Sequence, residues 1–379
     1  MNAPNDMKGL TENLLHTIGS PFESKSKQDD ICESENVFTY ANRNKIGFYY
    51  LETLRQAGKL NKLKDIYEKE YIRVQNQRKA ITRLASILNP ANIEYTLFKT
   101  IKPFPSYGKD ADVMIMGNMD QYKSAIWLLV RAGYLPCLPD IINGIDINQV
   151  ENYSKTVNVL SSPTYGVGHI SVTGTDLIDP VNDVDIDLQV DFGTSYLIWM
   201  NKSIWKDYIY KVDLNNNNDL TVHTLRPEMD MVITVAHNAM EQATFIGDYY
   251  SFMTQLTSIN DAGLKCFINE IKRNRLVKAS QAFLSIITTL HEDIHGFIPD
   301  KLSFLSNELG RNLNESSRLI KNNYCMKHVY SWNTFTGIMA EKLGDAGFSH
   351  SVFNQVIHMV NPKLTMQVIR EIGTRSKVT

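Results

Sequence analysis

The sequence predicts an α+β protein, with an α/β core over residues 91–226 set between an N-terminal helical segment and a C-terminal helical domain. Three observations predict it. Apolar residues recur at spacings of three, four and seven on both sides of the core: Tyr67, Tyr71, Val74, Ile81, Ala85 and Leu88 before it, and Val232, Ile233, Ala236 and Met240 after it. That is the period of an amphipathic helix. Val184-Asp185-Ile186-Asp187-Leu188-Gln189-Val190-Asp191-Phe192 instead alternates without a break, the period of a strand with one buried face. Turn and breaker residues separate the core segments, as short strands require.

Each element follows in order. Residues 1–40 are polar and broken by Pro4, Gly9, Gly19 and Pro21, which predicts a loosely ordered segment with one short helix near Leu10–Ile18. Residues 41–90 read as helices, ended by Pro90. Ile93–Lys99 reads as a strand, and a loop with Pro103, Pro105 and Gly108 leads to a second strand beginning Asp110-Ala111-Asp112-Val113. Asn118 is a suitable N-cap for the helix that follows, and Gly133 is its stop. His169–Thr173 looks like a strand that returns through a polar connection to the alternating segment. Lys211–Leu214 and Leu220–His223 flank four asparagines, a hairpin by its turn chemistry. Beyond Pro227 the pattern is helical to the end, in segments near 258–291, 300–321, 329–344 and 350–372.

Composition narrows the function classes. With 379 residues, 43% of them hydrophobic, the chain can bury a large core. A net charge of −2 with dispersed Lys and Arg does not indicate strong non-specific binding to nucleic acid. Cys32, Cys137, Cys266 and Cys325 are far apart, which suggests reduced thiols and a cytoplasmic protein. No apolar run approaches the ~18 residues of a membrane span, and no signal pattern opens the chain.

The acids are the most informative residues. On a strand Asp110 and Asp112 share a face, roughly 6–7 Å apart, and repel unless a cation or solvent intervenes. Asp is depleted in strands, so Asp185, Asp187 and Asp191 on one strand face need a reason. One is solvated charge that protects a sheet edge. The other is a third ligand for a metal ion. If the two strands are neighbours, three carboxylates converge, as two-metal phosphoryl transfer requires.

The order of these segments resembles a known family. A helix is followed by Tyr95-Thr96-Leu97-Phe98-Lys99-Thr100, a loop, then Lys109-Asp110-Ala111-Asp112-Val113-Met114-Ile115. After these come a helix ending Ala132-Gly133-Tyr134, Gly168-His169-Ile170, the acidic strand, a hairpin, and a helix with Ala236-His237-Asn238. This is similar to the uncharacterised nucleotidyltransferases of the DNA-polymerase-β-like superfamily, near the group with AbiEii-type and MenT-type toxins, and it covers about residues 60–260. The resemblance implies a polymerase-β-like mixed sheet and transfer of a nucleoside monophosphate from an NTP, with Mg²⁺ or Mn²⁺ as cofactor. The acceptor it leaves open: an RNA end such as that of tRNA, a protein hydroxyl or a small molecule. Carried over, Asp110 and Asp112 are the metal-binding pair, with Asp187 the first choice as third acid and Asp185 or Asp191 the alternatives. Lys99, Thr100, Lys109 and His169 fall where the nucleotide phosphates would be met. The sequence departs from the pattern at Thr100-Ile101, where a glycine pair is expected to let backbone N–H groups approach phosphate.

The acids therefore favour an active, metal-dependent nucleotidyltransferase. The missing glycines favour a degenerate relative that binds a nucleotide or a partner without turning it over. Other candidates have structural readings: His237 as packing, the His291/His295 pair as a helix end stopped by Gly296 and Pro299, and Lys272-Arg273-Asn274-Arg275 as a solvated helix face. Ser251, Ser280 and the cysteines have no base at a recognisable spacing.

Overall fold

The computed structural model describes residues 4–23, 31–106, 110–136, 174–194, 197–214 and 221–360. The chain divides into two compact units, each assembled from separate stretches. One, the sheet unit, comprises Asn76–Thr100, Lys109–Leu225 and Leu343–Thr379. The other, the helical unit, comprises Met1–Gln75, Ile101–Gly108 and Arg226–Lys342.

The sheet unit is built on seven strands: β1 (Tyr95–Leu97), β2 (Asp110–Ile115), β3 (Leu135–Pro136), β4 (Gly174–Asp179), β5 (Val184–Gln189), β8 (Ile209–Asp213) and β9 (Thr221–Leu225). Their order in the sheet is β3-β4-β5-β2-β1-β9-β8. β2 pairs with β5, and β1 with β9, in parallel; the remaining pairs are antiparallel, so the sheet is mixed. A separate two-stranded piece, β6 (Phe192–Thr194) with β7 (Leu197–Met200), follows β5. In β5 Val184, Ile186 and Leu188 are buried while Asp185, Asp187 and Gln189 are not, the outcome that the alternation predicts.

Helix α5 (Met119–Arg131) begins where Asn118 caps it, its side chain accepting from the N–H groups of Asp120 and Gln121. It closes before Gly133, whose φ of +91° is one that only glycine adopts without strain. The C-terminal half of helix α4 (Lys64–Leu88) belongs to this unit and supplies Arg83. Arg83 forms an ion pair with buried Asp179, donates to the carbonyl of Ala132, and lies 4.6 Å from the centre of the Tyr134 ring. Asp179 also accepts from the N–H of Val181 (3.1 Å) and from the Asn182 amide (2.7 Å), which fixes the turn between β4 and β5.

In the helical unit the described residues among the first 40 depart from the expected loose order. α1 (Pro4–Ile18) and α2 (Glu35–Arg43) are helices that pack on α3 (Gly47–Gln56). Leu10, Leu14, Leu15 and Ile18 lie on one face of α1, and Leu14 and Leu15 are wholly buried, which offsets the breakers around them. α6 (Pro227–Glu241), α7 (Ile246–Ser258), α8 (Asp261–Arg273), α9 (Val277–His295), α10 (Asp300–Leu309), α11 (Leu313–Lys321) and α12 (Trp332–Lys342) complete the unit, with α9 in contact with α1, α6, α8, α10, α11 and α12.

Three further expectations are corrected. The segment near 258–291 is two helices, α8 and α9, because Arg275 takes a left-handed φ of +53° between them. The region after residue 227 is not wholly helical: β10 (Ala243–Thr244) pairs with β11 (His328–Val329). The last described helix, α13 (Ala346–Val360), belongs to the sheet unit rather than to a C-terminal helical domain. Its Phe348 ring meets Trp199 of β7 edge-on at 5.4 Å, and its Ser351 hydroxyl accepts from the N–H of Ile198 at 3.1 Å.

Candidate active site

Asp110 and Asp112 alternate with buried Ala111 and Val113 on β2, so the two acids share the other face of the strand. The parallel register with β5 places Asp110 opposite Asp185 and Asp112 opposite Asp187. On the far side of β5, the antiparallel register with β4 places Asp176 opposite Asp187. Asp112, Asp187 and Asp176 thus form a row across three neighbouring strands, where residues directly opposite have Cα atoms about 5 Å apart.

The row sits where water is scarce, and each charge is disfavoured by the next. Burial pushes the Asp112 carboxyl up to about 7, with Asp110 and Asp187 adding to the shift and Lys99 opposing it. Burial, then the Asp176 charge, raises Asp187 to about 6, while a 2.6 Å hydrogen bond from the Gln189 amide counters. Asp176 rises to about 6 through burial and through Asp185 and Asp110. Like charges at close range cannot all ionise freely, and groups of this kind concentrate at functional sites.

Lys99 reaches the row from the end of β1, with Nζ 3.4 Å from Asp112 Oδ1. Burial pulls its proton affinity down, but Asp112, Asp187 and Asp110 outweigh that and hold it above the ordinary lysine value. Lys99 has a φ of +55°, so the left-handed turn expected of a glycine pair is made one residue earlier by the lysine itself. Thr100 is buried, and its hydroxyl accepts from the N–H of Asp112 at 2.8 Å and donates to the Phe98 carbonyl at 3.1 Å. It holds the acid-bearing strand in place. The Gln77 amide, from α4, donates to the Asp110 carbonyl at 3.0 Å and secures the start of β2.

The alternatives for the third acid separate by register. Asp185 faces Asp110 and is exposed. Asp191 lies beyond the end of β5, raised by burial and offset by Lys202, and is not in the row. Lys109 and His169 lie outside the described residues. Asp176 is the residue that sequence reasoning missed. Its signal was present in Asp179-Pro180-Val181-Asn182-Asp183, a turn directly before the acidic strand. A hairpin closed there puts Asp176 opposite Asp187.

Among the described residues no three His, Cys, Asp or Glu side chains are already gathered into a metal cage. The donors nevertheless suit a hard cation: carboxylate oxygens on one face, with mutual repulsion that a divalent ion would relieve. The three described cysteines are free thiols, and no described helix is long and apolar enough to cross a membrane. No protein-family model matches the chain, and no curated protein matches it.

Proposed function

We propose that the acidic face of the sheet unit is the active site of a metal-dependent nucleotidyltransferase, which moves a nucleoside monophosphate from an NTP to an acceptor hydroxyl. The observation that carries this reading is the in-register row Asp112–Asp187–Asp176, flanked by Asp110 and met by the Lys99 ammonium. Asp110, Asp112 and Asp187 would hold Mg²⁺ or Mn²⁺, which when bound neutralises phosphate charge and stabilises the entering and leaving oxygens. Lys99 supplies a fixed cation to the negative charge that builds on the phosphates. The acceptor oxygen forms a bond to the α-phosphorus, the bond from that phosphorus to the bridging oxygen breaks, and pyrophosphate leaves. The hydroxyl proton passes to Asp176, whose raised proton affinity suits a general base near neutral pH. An RNA end, a protein hydroxyl and a small molecule all satisfy this chemistry, and a cytoplasmic location supplies the NTP.

A second reading has its own support. The Lys99–Asp112 ion pair and the hydroxyl of Thr100 tied to the backbone fit a site that binds nucleotide without turnover. Calorimetric titration of each NTP with Mg²⁺, on the wild type and on Asp110→Ala/Asp112→Ala, tests both. Metal-dependent binding that vanishes in the double variant, followed by label transfer from α-labelled NTP, is the expected result. Binding without transfer to RNA, protein or small-molecule acceptors supports the second reading, and no binding at millimolar NTP overturns both.

A further inference from the structure

The helical unit contains a cavity of about 400 Å³ among α9, α11 and α12, lined by residues that share one chemistry. Lys278 and Arg311 supply two cations, and Gln281, Asn312, Asn314 and Asn333 supply four amides. None of the described residues lining it is acidic. The nearest acids by sequence are held by hydrogen bonds, in part to the lining residues Lys278 and Thr334. Glu341 accepts from the backbone N–H groups of Val277 (3.1 Å) and Lys278 (2.6 Å). Glu315 accepts from Ser331 and Thr334 and pairs with Arg318 and His328. Neither Lys278 nor Arg311 has a carboxylate partner among the described residues.

Arg311 carries the decisive detail. One terminal nitrogen of its guanidinium donates to the Thr289 hydroxyl at 3.1 Å, which anchors the side chain. Its Nε is shut off from solvent and meets no acceptor. The other terminal nitrogen has no acceptor among the described residues and is not shut off from solvent, so it is the part of the guanidinium that an anionic oxygen in the cavity could meet. The cavity also has an apolar border. Leu313, on its lining, is 68% exposed. Paired cations, hydrogen-bonding amides and an apolar edge together match a charged head on an organic body.

We propose that this cavity binds a small phosphomonoester, with its phosphate on Arg311 and Lys278 and its hydroxyls on the Asn314 and Asn333 amides, since Gln281 and Asn312 already donate to the Leu309 carbonyl and the Thr334 hydroxyl. The volume lies in the range of pockets that enclose small organic ligands. This site belongs to the helical unit and does not rest on nucleotidyl transfer at the acidic face.

The test is calorimetric titration of the full chain with ribose 5-phosphate in the presence of a chelator, which keeps any metal-dependent site silent. Ribose serves as the uncharged control. The expected result is saturable binding of ribose 5-phosphate and none of ribose. Loss of a charged hydrogen-bond partner should weaken that binding by roughly tenfold or more, read in Arg311→Met and in Lys278→Gln. Lys278 is exposed, so its variant folds even if Arg311→Met does not. Inorganic phosphate should bind more weakly than ribose 5-phosphate, because it lacks the hydroxyls for the amides. No binding at millimolar ribose 5-phosphate, or binding unchanged in Lys278→Gln and in a folded Arg311→Met, overturns the proposal.

Discussion

Carboxylates drawn away from bulk water occur in both units, half-buried in one and wholly buried in the other, and their surroundings drive them in opposite directions. In the sheet unit, Asp112, Asp187 and Asp176 face one another across adjacent strands and are pushed up towards neutrality. In the helical unit, Glu315 of α11 is wholly buried, yet its pKa is held down at about 2. Burial alone would raise it, but it is outweighed by His328 Nε2 at 2.8 Å, the Ser331 N–H at 2.9 Å and the Thr334 hydroxyl at 2.7 Å. The comparison separates two uses of one chemical group. A carboxylate surrounded by donors is a structural brace, whereas carboxylates set against each other are kept at a cost that only a bound cation or a proton relieves.

The comparison breaks most visibly at Glu315. Glu315→Ala leaves His328, Ser331, Thr334 and Arg318 without their acceptor, and removal of one member of a buried charged network costs about 3–5 kcal/mol. Chemical denaturation of the variant checks it, and a loss under about 1 kcal/mol would mean that Glu315 is no brace. The same carboxylate sets an acid limit. Its folded value lies below its ordinary 4.5, so its stabilisation is complete above that pH and disappears as the pH falls towards about 2. Glu315→Ala should therefore lose much of its stability deficit, relative to wild type, when both are measured below pH 3.

Asp187→Asn addresses the opposite case. The change removes a charge from a crowded row while keeping the shape and one acceptor of the group. Transfer activity should fall by on the order of 10²–10³, as for loss of a central electrostatic group, while thermal stability stays level or rises. A variant that is markedly less stable than wild type would place Asp187 with Glu315, among the braces. Asp176→Asn should behave in the same direction with a smaller loss of activity, since Asp176 stands at the end of the row.

Much of this site was legible in the sequence, for reasons of period. Alternation over Val184–Phe192 and the Asp110-Ala111-Asp112 opening fixed which acids share a strand face, and strand geometry leaves little freedom there. The pairing of β2 with β5 was a conditional expectation, because it depends on a long-range choice of neighbour that no local pattern states. Asp176 escaped because the segment between His169–Thr173, which lies outside the described residues, and the acidic strand reads as a polar connection, whereas Gly174–Asp179 is a strand. The backbone role of Thr100 was not legible, since a hydroxyl following a strand looks the same in sequence whether or not it meets a neighbouring backbone N–H. The helical unit was legible as helices but not in its assembly: two short strands and the packing of α1 rest on tertiary contacts, which override local breakers.

Arg83 tests how the row is held. It secures Asp179 at the end of β4 and the Ala132 carbonyl after α5, and Asp179 in turn fixes the turn that sets Asp176 against Asp187. Arg83→Ala leaves Asp179 buried with two of its acceptor contacts intact, so the expected cost is about 2–3 kcal/mol. The expected pattern in chemical denaturation and NTP titration is a loss of stability together with weakened NTP binding, because the register suffers along with the turn. Loss of stability with full NTP affinity would show that β4 is dispensable to the site, and Asp176 with it.

The smallest and sharpest effect is expected at Lys99, where backbone and side chain do separate jobs. The left-handed φ of +55° costs a residue with a side chain about 1–2 kcal/mol, and glycine is free of that cost; the ammonium, in contrast, serves the acids through its 3.4 Å approach to Asp112. Lys99→Gly and Lys99→Ala remove the same charge but treat the backbone differently. Both should lose activity to a similar extent, while the glycine variant stays more stable than the alanine variant by roughly 0.5–1 kcal/mol once its greater unfolded-state freedom is counted. Equal stability of the two would mean that the turn is not held in solution. Equal activity of both variants and wild type would assign Lys99 to the backbone turn alone, and the acidic face would then have to meet phosphate without it.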